Sequence, residues 1–317
     1  VSGPVRWWVR RLLFAVLVVF GAVTVTFGAL RLTPGDPVRL MLGPNTSPPP
    51  ELVEQIRHDL GLDRPLIEQY GLFVGRLLTG DLGRSYQLHD SVANVLGEHV
   101  GATAGLALTS FLLAFAIALL VAVATAGRRP ALRRLSSTVE LVMTSVPSFW
   151  IGVVLLTVFS FRLHIFPVAG GTGLSGLVLP AVTLALGMAG VFAQVLREGL
   201  ERVLAEPFVV SSRARGTGEI MVRFRHALRH AMIPMVTIAG WAVGALLSGA
   251  VVVETVFSRP GIGHVLATAI AGRDFPVVTG IVLVSAVLFT VINIVVDWLY
   301  RVIDPRLRDA ADVRGLA

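Results

Sequence analysis

The chain has 317 residues, 54% apolar and 15% charged, with a formal net charge of +7 and a mean hydropathy of +0.77. Soluble domains average about 45–50% apolar and about 25% charged residues, so one or two soluble domains of this length are excluded. All 27 positive residues are arginine, which excludes a Walker A phosphate loop on this chain, and the lack of cysteine excludes disulfides, thiolate metal sites and cysteine nucleophiles.

Six runs carry no charge and no histidine: Leu12–Leu30, Val100–Gly127, Leu141–Phe161, Ile165–Leu196, Ala231–Val253 and Phe275–Val296. Crossing the hydrocarbon core takes about 20 helical residues. Backbone in lipid must also satisfy its own polar groups. The runs therefore predict an all-α membrane protein with six transmembrane helices and no ten-residue alternation of the barrel kind.

In chain order, residues 1–11 hold Arg6, Arg10 and Arg11, and residues 12–30 form the first span. This span reads as uncleaved, because Arg31-Leu-Thr-Pro-Gly-Asp-Pro37 follows it with no small-residue cleavage pattern. Residues 31–99 form a region with six arginines against nine acids. Within it, Leu52, Ile56 and Leu60 recur at four-residue spacing before Gly61, predicting a helix over Pro50–Leu60. A second amphipathic helix is expected from near Asp63-Arg-Pro65 to Leu78, ahead of Gly80-Asp-Leu-Gly83. Both are expected to lie along the membrane face or cap the bundle. Residues 100–303 hold the other five spans, with a Gly-rich loop over Pro167–Gly176 and one long inner loop over about 205–230, and 304–317 form a tail. The expectation is one integrated membrane domain.

Arginine placement sets the expected orientation. With the N-terminus inside, 18 arginines fall inside and 9 outside, and the short Gly127–Ser136 loop has four arginines and no acid. Short loops follow the positive-inside rule most closely, so both termini are expected to be cytoplasmic. The basic charge then sets topology and does not indicate nucleic-acid binding.

Catalytic constellations are missing. There is no H-E-x-x-H and no G-x-S-x-G, and His226 and His230 sit among Arg223, Arg225 and Arg229, a poor place for a metal cation. A membrane-embedded enzyme would need a converging nucleophile or acid–base set, and none is found. Glu140, Glu254 and Asp297 flank the spans and read as helix-end or gate residues. With no carboxylate inside a span to relay protons or sodium, the energy for transport must come from elsewhere.

The inner loop, Glu206 to Pro234, has helical spacing on both sides of Gly216, which suits a helix stop or tight turn. Met221, Val222, Phe224 and Leu228 are expected to pack one face while the arginines stay wet. On periodicity alone the segment is equally a basic interfacial helix on anionic lipid.

Ser211, Ser212, Arg213, Ala214, Arg215 and Gly216, then Arg225, His226, Ala227, Leu228, Arg229, Ala231, Ile233 and Pro234, resemble the EAA-x3-G loop of ABC-importer permeases. The likeness is to the oligopeptide/dipeptide (peptide/nickel) branch, although Val210-Ser211-Ser212 stands where EAA would be and Arg229 where proline is common. Further segments fit that family along nearly the whole chain: Leu32-Thr-Pro-Gly-Asp-Pro37, Leu60-Gly-Leu-Asp-Arg-Pro-Leu66 with Gln69-Tyr70, Gly80-Asp-Leu-Gly-Arg-Ser85, and Pro147-Ser-Phe-Trp150. So do Glu254, Phe257, Pro260-Gly-Ile-Gly263, Ala269, Arg273-Asp274, Pro276 and Asp304-Pro-Arg306.

The resemblance implies the type I ABC importer permease fold, in the subunit type with a long outer segment after the first span. It implies a coupling helix built from Ser211, Ser212, Arg213, Ala214, Arg215, Gly216, Thr217 and Glu219 that docks on a cytoplasmic ATPase. It also implies a gate or docking surface at Pro260, Gly261, Gly263, Arg273 and Asp274, although Pro260–Gly263 reads equally as a plain turn. Implied partners are a second homologous permease, two ABC ATPase subunits and an external solute-binding protein. ATP and magnesium would sit on the ATPases, with no cofactor or metal on this chain. The implied location is a bacterial inner membrane, and the implied cargo is di- or oligopeptides, with nickel and other small solutes among relatives. The alternative reading is a stand-alone secondary transporter or channel for a small solute.

Overall fold

The computed structural model describes residues 3–303 apart from 33, 37, 39–47, 60, 86, 129 and 172. Thr33 and Pro37 of the turn after the first span, Leu60, Arg129, the side chains of Arg6, His226 and Ile233, and the tail 304–317 lie outside the described residues. Every regular element among those described is helical, apart from one isolated bridge between Arg84 and Ser91. In order they are α1 (Gly3–Leu32), α2 (Pro50–Asp59), α3 (Leu66–Leu78), α4 (Val92–Thr125), α5 (Pro130–Ser145) and α6 (Ser148–Leu155), which runs into a π-helical Leu156–Arg162. Then come α7 (Ser175–Leu204), α8 (Pro207–Ala214), α9 (Glu219–Met221, π-helical Val222–Ala227 and Leu228–Ala231 in succession), α10 (Ile233–Val256), α11 (Ile262–Gly272) and α12 (Phe275–Ile303).

Among the described residues four helices are long and apolar enough to cross a membrane: Trp8–Ala29 of α1, α4, α7, and Phe275–Trp298 of α12. The third charge-free run is not one straight helix. Pro130–Ser145 and Ser148–Arg162 meet at a bend of 96°. Pro147 has no N–H to continue the ladder and pushes Val146 out of the helical region, so the chain restarts at Ser148. Glu140, which the sequence places at the edge of a span, therefore lies well inside α5. Glu254 is buried in the last turn of α10, and Asp297 lies within α12.

The chain divides into two compact units, Val1–Thr103 with Pro260–Val291, and Ala104–Arg259 with Ile292–Ala317. In the first, the buried stripe of α2 is Val53 and Ile56, while Leu52 is exposed. The i, i+3 pair faces Val38, and an ion pair from Arg57 to Asp36 at 2.9 Å closes that small cluster. α2 ends at Gly61, and α3 begins directly after Pro65, ending at Thr79. α3 lies along α1: Tyr70 Oη and Thr24 Oγ1 are 2.6 Å apart, and the Tyr70 and Phe73 rings sit 5.2 and 5.4 Å from that of Phe27. A second core joins Val92 and Leu96 of α4 to Ala269 of α11 and to Val277 and Ile281 of α12.

The second unit is built around α7. Ala114, Ala118, Ala122 and Ala126 recur every fourth residue and are fully buried in one cluster with Leu196, Leu200 and Phe192 of α7. Small residues let helices approach closely where lipid supplies no hydrophobic drive between them. Gly190 marks the tightest crossing: a Cβ there would stand 2.8 Å from the Glu140 carbonyl oxygen and 2.8 Å from Thr144 Cγ2.

That crossing carries a buried ion pair. Arg197 of α7 is paired through Nη1 with Glu140 Oε1, and it donates to Ser136 Oγ at 3.2 Å and Ser137 Oγ at 3.1 Å. Ser136 Oγ donates to Glu140 Oε1 at 2.6 Å, so four side chains from two helices form one network. Removing one member of a buried pair strands the other charge and costs about 3–5 kcal/mol, whereas replacing both by apolar residues is often near neutral. Arg197→Met or Glu140→Leu alone should therefore lower the thermal unfolding temperature in detergent sharply, and the double replacement should recover most of the loss. A loss in the double variant equal to the sum of the two single losses would show that the two charges are not coupled.

Candidate functional site

The loop after α7 is shaped by its breakers. Glu206 is extended, Pro207 takes the first position of α8, where its missing N–H costs nothing, and α8 stops after Ala214. Gly216 adopts φ +82. Its N–H donates to the Arg213 carbonyl at 2.9 Å and the Thr217 N–H to that of Ser212 at 3.2 Å, the paired bonds of a left-handed helix stop. A Cβ on Gly216 would meet nothing within 4 Å, so the glycine is required by backbone conformation and not by space. Gly218 is extended, and the helix restarts at Glu219.

Glu219 clasps this turn. Its carboxylate accepts from Arg213 Nε at 2.7 Å and Nη2 at 3.3 Å, bridging the two helices across Gly216. On its other side stands Arg223, with Nε 3.8 Å from Glu219 Oε2. Arg223 is not the solvated residue that the basic pattern suggests: it is only 5% exposed. Its Nη1 donates to the carbonyls of Val123 at 2.8 Å and Ala126 at 2.7 Å, where α4 ends. Burial, helped by nearby Arg128, pulls the guanidinium pKa below the usual value while Glu219 opposes the shift.

The apolar face also differs from expectation. Val222 is buried and Leu228 half-buried, but Met221 and Phe224 are exposed. The π-helical turn Val222–Ala227 breaks the α-helical register, so Arg223 turns inward beside Val222. Ser212 is buried and Thr217 half-buried, so the small surface is Ser211, Ala214 and Gly216, bordered by exposed Arg213, Arg215 and Glu219. The flanking helices also expose large apolar side chains, Phe208 and Val210 before the turn and Ile220, Met221 and Phe224 after it.

A second constellation gathers around α11. Pro260 is exposed, whereas Gly261 and Gly263 are buried, and the Ile262 N–H donates to Thr103 Oγ1 at 2.8 Å. α11 ends in the same kind of left-handed stop, here on Arg273 at φ +57, with Asp274 N–H donating to the Ala269 carbonyl at 2.8 Å. A non-glycine residue there costs about 1–2 kcal/mol. Exposed Arg273 reaches the Pro34 carbonyl at 3.3 Å. Asp274 is buried instead: Oδ1 accepts from the Val277 N–H at 3.4 Å, capping α12, and Oδ2 accepts from Ser85 Oγ. Burial raises the Asp274 pKa, and the Ser85 and Val277 bonds oppose that shift. Gln87 Nε2 donates to the Gly272 carbonyl alongside. The Gly80–Ser85 turn and the Arg273–Asp274 pair, which the sequence presents as separate motifs, thus form one hydrogen-bonded corner.

Three groups escaped the sequence reading: Arg223 as a buried donor, Ser85 as the partner of Asp274, and Arg197 as the partner of Glu140. Only the last left a trace, an arginine and a glutamate each abutting a charge-free run. Among the described residues, no group of three or more His, Asp or Glu is placed to hold a metal ion.

Two family descriptions match the chain. Residues 114–309 match the binding-protein-dependent transport system inner membrane component, and residues 4–107 match its N-terminal component. The di/tripeptide transport system permease of Pseudomonas aeruginosa is 38% identical over 328 residues, covering 94% of this chain and 97% of that one. The glutathione transport system permease of Escherichia coli K12 is 35% identical over 303 residues, covering 95% and 98%. A putative peptide transport system permease of Brucella abortus is 36% identical over 308 residues, covering 94% and 98%. In three dimensions the chain resembles the inward-facing MetNI methionine ABC transporter, with TM-score 0.56 and 20% identity over 66% of this chain and 96% of that one, a likeness of fold. With both halves matched and the relatives aligned nearly end to end, the chain belongs to the family of binding-protein-dependent transport system inner membrane components.

Proposed function

We propose that this chain forms half of the translocation path of an ATP-driven importer for di- or oligopeptides in a bacterial inner membrane. The observation that carries the reading is the Gly216 turn, closed by Arg213 and Glu219, with Val210, Ile220, Met221 and Phe224 exposed on the flanking helices. A side chain of that size contributes about 1.5–3 kcal/mol when fully buried, so a partner groove accepting this knob would hold it firmly. The relatives named for peptide, di/tripeptide and glutathione transport support the cargo class.

In this reading six helices cross the membrane with both termini cytoplasmic, the α8–α9 loop faces the cytoplasm, and the Ser85–Asp274 corner faces outward. A second homologous permease completes the path, two ABC ATPases carry ATP and magnesium, and an external solute-binding protein selects the cargo. Closure of the ATPases pushes the α8–α9 loop, and the attached helices α7 and α10 rock to alternate access. Arg273, Asp274 and the Pro260–Gly263 turn belong to the face that meets the binding protein.

Gly216 separates folding from docking, because its Cβ position is open. Gly216→Ala and Gly216→Trp share the left-handed backbone penalty of about 1–2 kcal/mol. Only tryptophan would obstruct a partner, so in a reconstituted complex alanine should keep most solute-stimulated ATP hydrolysis and tryptophan should abolish it; equal activities would sink the docking role.

Purification in mild detergent should bring ATPase subunits with this chain. Recovery of the chain alone in a transport-competent form would favour a lone channel or secondary transporter.

Asp274→Asn keeps an acceptor oxygen for the α12 cap and turns its NH2 to Ser85 Oγ, a hydroxyl that can accept instead of donate, so it should preserve binding-protein-stimulated ATP hydrolysis. Exchanging Arg273 and Asp274 places a guanidinium in the buried corner and should lose the stimulation, and unaltered stimulation in the exchange variant would remove the pair from the docking face. Because burial raises the Asp274 pKa, its ionised form opposes folding of the corner. The stabilisation is present below the unfolded-state pKa and is lost as pH rises through the folded value. Wild-type chain should consequently gain less stability than Asp274→Asn as pH is raised across that window, read by thermal melts.

A further inference from the structure

We infer that Arg223 is a positioning residue that makes the end of α4 move as one body with the α8–α9 loop. The inference rests on the reading of that loop as the coupling element and adds a route for force through a helix not adjacent to it in sequence. By connectivity the loop pulls only on α7 before it and α10 after it. The guanidinium of Arg223 supplies a third attachment, to carbonyls 100 and 97 residues away in the chain.

Three features make that attachment stiff. The final carbonyls of a helix lack intrahelical donors and carry the negative end of its dipole, so a cation there is held by charge as well as by hydrogen bonds. Nη1 engages two of these carbonyls at once, at 2.8 and 2.7 Å, from a buried side chain beside Gly127. Arg223 in turn faces Glu219, which is already gripped by Arg213 of α8. The links run α8, Arg213, Glu219, Arg223, end of α4, and they cross the Gly216 turn that would otherwise act as a hinge. The exposed Arg213–Glu219 pair adds little stability by itself. Its consequence is geometric, because it biases α8 and α9 toward one relative angle across the turn.

Lysine at 223 would keep a cation that reaches one carbonyl, and methionine would keep the bulk with no donor. The two replacements therefore separate packing from attachment. Since the chain has no cysteine, Ala124→Cys and Arg225→Cys, both at exposed positions outside the coupling residues, give a spin-label pair across the attachment. In the complex with its ATPases, the Ala124–Arg225 label distance should be narrow and identical in the nucleotide-free and ATP-trapped states. Arg223→Met should broaden it and make it state-dependent. Solute moved per ATP hydrolysed should then fall by at least about fivefold, the low end for coupling between distant sites. Arg223→Lys should restore part of both readouts.

A wild-type distance that shifts between states, or an Arg223→Met complex with an unchanged distance and unchanged solute per ATP, overturns this inference while leaving the coupling loop assigned. A chain that fails to bind ATPases at all overturns that assignment and this inference with it.

Discussion

A guanidinium in the middle of a packed helical bundle is tolerated only where other side chains take over the work of water. Arg197 meets that condition because α5 delivers Glu140, Ser136 and Ser137 to it from a single face. The pair constrains much else. It requires α5 and α7 to cross at one register, which places Gly190 under the Glu140 carbonyl and leaves no room there for a side chain. Past this crossing, Pro147 turns the chain by 96°, so that α5 lies against one part of α7 and Ser148–Leu155 against another, with Gly152 beside Thr183. With α7 fixed in this way, the loop that follows it starts from a defined place.

The loop and the Ser85–Asp274 corner apply the same economy of means. Each uses a helix that stops in a left-handed residue, Gly216 in one and Arg273 in the other, followed within three residues by an acid that begins or caps the next helix. Each acid then receives a donor from elsewhere: Glu219 from Arg213 and Asp274 from Ser85. Helix ends carry unpaired backbone groups and must find partners. Here the same bonds that satisfy those ends also hold the chain reversal in one shape, and in the loop they leave apolar side chains exposed on both sides of the turn.

Much of this was legible along the chain because lipid imposes a strong one-dimensional constraint: apolar runs of sufficient length between arginine-rich segments. The turn chemistry was equally local. Gly61 stops α2, Pro65 precedes α3, and Gly216 ends α8, each through its own backbone preference. Periodicity was a weaker guide wherever a helix departs from the ordinary register. Met221 and Phe224 read as core, yet the π-helical turn at Val222 exposes them and draws Arg223 inward. In α2 the stripe sits on Val53 and Ile56, because contact with Val38 chooses among several apolar positions.

The sequence by itself determined the solvent this protein lives in, several of the places where its helices stop, and, through ordered motifs, its kinship with importer permeases. Those properties follow from local chemistry: hydrophobicity, backbone preference and the spacing of breakers. Which charges are buried and what they hold was decided only by the tertiary structure. Arg197 and Arg223 look like any of the 27 arginines in the chain. One became the partner of a glutamate in the bundle and the other the cap of a distant helix, since pairing depends on which groups packing brings within reach, and that distance is not written in the spacing of residues.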